Sequence, residues 1–268
     1  MTEYKYMNKA YREKIEILDP IAYERFQNGE SITSIAKDFK MDRNKLSRRL
    51  QEKYDINVCI DGGKKKINSN YFSVLNHENT YWLGLILADG SINVKHNHFE
   101  LTLKDKEHIE LFKTCLQSEH DISPKEVHGE MYYRISFHDK QIITDLINYG
   151  ILPNKSNIDF HLPNIPDQFF NDFLRGLIDG DGMYYTCSTN TTRFRIHISV
   201  GFSCPTYAKE LSDRIRSFYN VNVKCYKQRT CYSITLFKKD SVKIVKQIYY
   251  DNCICLKRKY QKCLSFLK

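Results

Sequence analysis

The sequence predicts an α+β fold: two αββαββα halves related by a pseudo-twofold axis, preceded by a helix-turn-helix. Three observations lead there. A twelve-residue pattern occurs twice, as YWLGLILADGSI from Tyr81 and FLRGLIDGDGMY from Phe173. The same order of elements follows each copy. The strands alternate apolar and polar residues, which gives each sheet one packed face and one open face.

The N-terminal region, residues 1–56, reads as helical. Tyr23–Gln27 ends a helix at Asn28-Gly29. SITSIAKDF is a short helix with Ile32, Ile35, Ala36 and Phe39 on one face. Asp42 can cap a further helix carrying Arg43, Lys45, Arg48 and Arg49, with Leu46 and Leu50 as its apolar positions. A short helix, a turn and a basic second helix is the pattern that places the second helix in the DNA major groove. Residues 57–75 form a basic linker, broken at Gly62-Gly63 and charged at Lys64, Lys65 and Lys66. It suits a tether along a phosphate backbone or a solvated hinge equally.

The first half, residues 76–150, begins with a helix over Asn79–Ala88. Strands near Ser91–Lys95 and His98–Lys104 follow, then a helix Lys106–Gln117, strands near Lys125–His128 and Met131–Phe137, and a helix Lys140–Tyr149. The second half, residues 151–268, opens with the connector GILPNKSNIDFHLPNIP, whose Pro and Asn mark irregular chain. It continues with a helix Gln168–Gly180 and strands near Met183–Thr186 and Arg193–Gly201. A helix Thr206–Tyr219, strands Asn222–Lys227 and Cys231–Phe237, a helix Ser241–Tyr250 and a last basic helix in LKRKYQKCLSFL complete it. About 90 residues per copy is too long for a solenoid period.

A net charge of +9 fits a polyanionic partner, or a merely solvated basic surface. The strand faces sharpen this. In RFRIHISV, Arg193, Arg195, His197 and Ser199 share one face; in YYRISF, Tyr132, Arg134 and Ser136 do. Such side chains hydrogen-bond base edges and phosphates. Lys104, Lys224, Tyr226 and Gln228 extend the set, and the expected partner is double-stranded DNA. The nine cysteines contain no C-x-x-C; the closest pair is Cys253 and Cys255. They read as reduced, mostly buried thiols of a cytosolic protein. MTEYKYMNKA has no apolar signal core, and no run is long enough to span a bilayer, so the expectation is a soluble, intracellular chain.

Both repeated helices are apolar almost all round. Small residues, Gly84 and Ala88 in one and Gly176 and Gly180 in the other, allow close approach at the axis. Gly90 and Gly182 sit where helix C-caps belong. That leaves Asp89 and Asp181 in the last turn, where the helix dipole disfavours a carboxylate by ~0.3–1 kcal/mol. A bound divalent cation removes the conflict, because paired carboxylates are hard-oxygen ligands for magnesium.

WLGLILADG and LRGLIDGDG resemble the paired motifs of the LAGLIDADG homing endonucleases. The resemblance covers residues 76–268 and includes the PNKS connector. It implies a saddle of two sheets on DNA and magnesium-dependent double-strand cleavage of a long site by a monomer. It also implies catalytic Asp89 and Asp181, with carbonyls of Ala88 and Gly180 joining the metal, and basic residues near Lys140 and Lys239. Leu87 departs from the motif, where the second copy has Asp179. An intron maturase or a non-cleaving, sequence-specific DNA-binding regulator is the alternative.

Overall fold

A computed structural model describes residues 9–54, 65–155, 157–185, 194–201 and 203–267. Lys64 and Arg193 lie outside the described residues. The chain divides into two compact units, 1–65 and 66–268.

The first unit holds three helices: α1 (Lys9–Gln27), α2 (Ile32–Asp38) and α3 (Arg43–Tyr54). Ser31 caps α2 by accepting from the Ser34 N–H, and Asp42 accepts from the Lys45 N–H at the start of α3. Ala22, Ile32, Ile35, Ala36, Leu46 and Leu50 form its core. Arg49 corrects the sequence reading. It does not face solvent with Arg48 but is buried, its Nη2 3.0 Å from Asp19 Oδ1. The helical period explains this, since Arg49 shares the inner face with Leu46 and Leu50. Asp19 then requires a cation, because a buried unpaired carboxylate is costly.

The second unit contains the duplication. Its first half runs α4 (His77–Asp89), β1 (Gly90–Asn93), β2 (His98–Leu103), α5 (Lys106–Cys115), β3 (Ile122–Val127), β4 (Glu130–His138) and α6 (Lys140–Asn148). The second runs α7 (Asp167–Asp181), β5 (Gly182–Tyr185), β6 (Arg195–Gly201), α8 (Pro205–Tyr219), β7 (Lys224–Lys227), β8 (Cys231–Phe237) and α9 (Lys238–Ile248). The basic tail forms two short helices rather than one, α10 (Lys257–Gln261) and α11 (Leu264–Leu267). Each half makes an antiparallel four-stranded sheet in the same order, β1-β2-β4-β3 and β5-β6-β8-β7.

Helices α4 and α7 cross at their glycines. A Cβ on Gly84 would strike the Phe173 carbonyl and the Leu177 N–H; one on Gly176 would strike the Tyr81 carbonyl and the Leu85 N–H. The contact is reciprocal, as a twofold relation requires. Gly90 and Gly182 follow the helices but keep extended backbone, with φ −78° and −86°. Glycine is needed there for space: a Cβ would lie 2.7 Å from the Ile86 carbonyl oxygen at Gly90, and 2.5 Å from that of Ile178 at Gly182. Among the described residues, Cys204 and Cys263 are buried while Cys115, Cys225, Cys231, Cys253 and Cys255 are half-buried, so burial is less general than expected. No helix among the described residues is long and apolar enough to cross a membrane.

Candidate nucleic-acid interface and the paired carboxylates

Asp89 and Asp181 are the last residues of the two crossing helices, and close crossing brings them together. Asp89 Oδ2 lies 3.1 Å from where a Gly180 Cβ would be. Both aspartates are exposed, and Asp181 borders a small pocket with Leu87, Ala88 and Lys155. Desolvation and then the Asp89 charge push Asp181 up to about 7. Desolvation also raises Asp89, against Lys259, Lys155 and Arg258.

Two lysines supply the compensating charge. Lys155, in the connector after α6, donates to the Gly90 carbonyl at the end of α4. Lys259, in α10, donates to the carbonyls of Ile178 (2.7 Å), Asp179 (2.5 Å), Gly180 (3.0 Å) and Gly182 (2.7 Å). An ammonium among the last carbonyls of a helix satisfies acceptors that otherwise have no partner. Burial pushes Lys259 down to about 8 and lowers Lys155, with the aspartates opposing in both. Neither lysine was singled out from the sequence. The available signal was a shared Leu-x-x-Lys after each half, Leu152 to Lys155 and Leu256 to Lys259. Lys140 and Lys239 instead sit exposed in the first turns of α6 and α9.

Both carboxylates are in place, but the Gly180 carbonyl already accepts from Lys259. Among the described residues no group of three His, Cys, Asp or Glu side chains is arranged to hold a metal.

Asp179, the polar motif position, belongs to a buried network. Tyr81 donates to its Oδ2 (2.8 Å), the Leu256 N–H does likewise (2.8 Å), and His108 Nε2 lies 2.7 Å from the Tyr81 hydroxyl. Because the Tyr81 hydroxyl donates its hydrogen bond to Asp179, the His108 Nε2–H is the donor to the Tyr81 oxygen. Burial holds His108 neutral, down to about 4, and raises Asp179 to about 6. In the first copy Leu87 occupies the corresponding position and is buried.

The open sheet faces differ. On the first, Glu100 lies 3.7 Å from both Lys125 and Arg134, and Lys104 pairs with Glu130 at 2.7 Å. The strands of the second sheet contain no Asp or Glu. Arg195, Lys224 and Tyr226 are exposed there, with Arg195 and Lys224 5.6 and 5.5 Å from the Phe237 ring centre. His197 lies between Ser233 (3.0 Å), Thr235 (3.3 Å) and Ser199 (3.2 Å). Gln228 is exposed past the end of β7. In the N-terminal unit Lys45 and Arg48 are exposed and Arg43 half-buried, and Lys65 and Lys66 are exposed at the boundary.

The duplicated helix–sheet architecture, with its paired motif helices, is a LAGLIDADG-like α+β fold. The family model described as the WhiA LAGLIDADG-like domain matches residues 78–156 and 170–249, more than half of the chain, and the chain belongs to that family. No curated protein sequence matches it significantly. Among solved structures, the homing endonuclease I-WcaI bound to its DNA recognition sequence aligns at 15% identity and TM-score 0.50, over 72% of this chain and 90% of that one. Full-length DUF199/WhiA from Thermatoga maritima aligns at 16% identity and TM-score 0.46, over 75% of this chain. The chain spans 64% of that protein's length. The likeness to I-WcaI shows the fold alone. The family match overturns the reading as a homing endonuclease: the matching family is the one named for WhiA, which fits the non-cleaving DNA-binding alternative better.

Proposed function

We propose that this protein is a non-cleaving, sequence-specific double-stranded DNA-binding protein acting as a regulator. The observation that carries this reading is the open face of β5–β8, which has Arg195, Lys224, His197 and Tyr226 and no carboxylate in its strands. A cationic face rich in hydrogen-bonding groups supplies both phosphate attraction and base readout. The first sheet contributes Arg134, Lys104, Thr102 and Ser136 in a more neutral setting. One chain presents two such sheets, so a monomer covers two half-sites. Helix α3, with Arg43, Lys45 and Arg48, acts as a helix-turn-helix recognition helix, and Lys64, Lys65 and Lys66 bind DNA phosphates.

In this reading Asp89 and Asp181 lie at the end of the α4–α7 crossing, and the charges of Lys155 and Lys259 offset theirs. Magnesium at this pair is a separate proposal, with Asp89 and Asp181 as its ligands.

The test is repeated selection from a random duplex library, followed by binding and strand analysis of the recovered site with magnesium or EDTA. One preferred sequence, bound in a salt-sensitive manner and left intact, is the expected result. Recovery of no preferred sequence, or magnesium-dependent scission, would overturn the proposal. Tighter binding in magnesium that Asp181→Asn abolishes would support the separate metal proposal.

A further inference from the structure

An open cleft of about 680 Å³ lies between α5 of the first half and α10 of the second. Small-molecule sites commonly measure about 300–1,000 Å³. The cleft is not on the face proposed for DNA. Tyr133, on its wall, alternates along β4 with the buried Ile135 and Phe137. It therefore points to the helix-covered side of the first sheet, away from Arg134 and Ser136.

Three kinds of group meet there. Lys104, Lys106, Lys257 and Arg258 stand against two carboxylates, Asp105 and Glu107, which leaves an excess of positive charge. The pairs that cross the cleft join Arg258 Nε to Asp105 at 2.9 Å and Lys257 Nζ to Glu107 at 2.5 Å, and both are open to solvent. Exposed ion pairs contribute little to stability, so an incoming anion can share these cations at small cost. Leu111, exposed on α5, and the Tyr133 ring form an apolar wall, with Lys106 Nζ 5.9 Å from the ring centre. His108 borders the cleft although it is only 5% exposed. Its Nε2–H is spent on Tyr81 (2.7 Å), which leaves the Nδ1 lone pair as its acceptor.

We propose that this cleft binds a small organic anion: a phosphate or carboxylate carried on an aromatic body. Arg258, Lys257 and Lys106 take the anionic group by charge-assisted hydrogen bonds. Tyr133 and Leu111 take the body, and His108 accepts from a hydroxyl or N–H on it. Apolar walls with a few placed polar groups are the usual make-up of such a site. A molecule held there joins the two halves, because α5 belongs to the first and α10 to the second. It also reaches their junction. Arg258 precedes Lys259, which serves the carbonyls at the end of α7, and His108 connects through Tyr81 to Asp179 of the same helix.

The experiment titrates the full chain calorimetrically with adenosine monophosphate and with naphthoate, and with adenosine and inorganic phosphate as the separate parts. At least one of the two complete probes should bind at a single site, about tenfold tighter than either part. Which of them does so tells phosphate from carboxylate. Leu111→Glu, which sets a carboxylate in the apolar wall, and Arg258→Gln should each weaken that binding about tenfold. Lys224→Ala, on the open face of the second sheet, should leave it unchanged. Failure of both complete probes to exceed the parts would overturn the proposal. So would binding that survives both cleft substitutions, since it would lie elsewhere on this basic chain. Each variant's circular dichroism is compared with the parent's, so a folding defect is seen separately. None of these readouts involves DNA, so the outcome is independent of the DNA-binding reading.

Discussion

Lys259 shows how much one side chain can carry. Its ammonium serves four carbonyls at the end of α7 and faces both carboxylates of the pair. Replacing it with Met leaves those acceptors and charges uncompensated. Lys259→Met should therefore cost about 2–4 kcal/mol in urea unfolding; a cost below about 0.5 kcal/mol would show the contacts to be incidental. Asp181 should be visible in pH dependence. Its folded carboxyl titrates near 7 against an ordinary value of 3.8, so the folded state keeps a proton that the unfolded state releases between them. That stabilisation is full below pH 4 and lost as pH rises to 7. His108, lowered to about 4 from 6.5, acts in the opposite sense, adding stability as pH rises through that window. Asp179, raised to about 6, acts in the same sense as Asp181, so the wild-type profile mixes all three. The melting temperature of Asp181→Asn should rise relative to wild type between pH 4 and 7; a constant difference would count against the assignment.

At the scale of elements, the crossing of α4 and α7 depends on two absent side chains. Gly84→Ala or Gly176→Ala inserts a methyl group into the partner helix backbone and forces the pair apart. Each should destabilise by about 3 kcal/mol or more, measured by chemical denaturation. In the N-terminal unit, neighbouring arginines on α3 should separate. Arg49→Leu strands the buried Asp19 and should cost about 3–5 kcal/mol. Arg48→Ala should leave stability within about 0.5 kcal/mol, and on the helix-turn-helix proposal it weakens DNA binding. Equal stability losses in the two variants would refute this division.

Over the whole molecule the two halves share a fold but differ in electrostatics. The first sheet neutralises much of its own charge through Glu100 and Glu130; the second has no such partner in its strands. If the proposed function holds, salt dependence of DNA binding comes mainly from the second half. Lys224→Ala and Arg195→Ala should each lower the slope of log affinity against log salt by about one, and Arg134→Ala should lower it by less. A larger effect from Arg134 would reverse the assignment of the halves.

The sequence by itself determined the duplication, the α+β class and the helix-on-helix junction. Period-two and helical patterns, with paired glycines, are local signals that survive in one dimension. It also marked Asp89 and Asp181 as out of place at helix ends. What compensates them was decided only by tertiary structure. Lys155 and Lys259 come from irregular or short segments with no periodicity, and their partners are backbone carbonyls distant in sequence. Arg49 was misread for the same reason. A charged residue on an amphipathic helix shows its face only roughly, and the buried Asp19 that draws it inward lies thirty residues earlier. Local pattern specifies elements, whereas counter-charge depends on which distant groups the fold brings within a few ångströms.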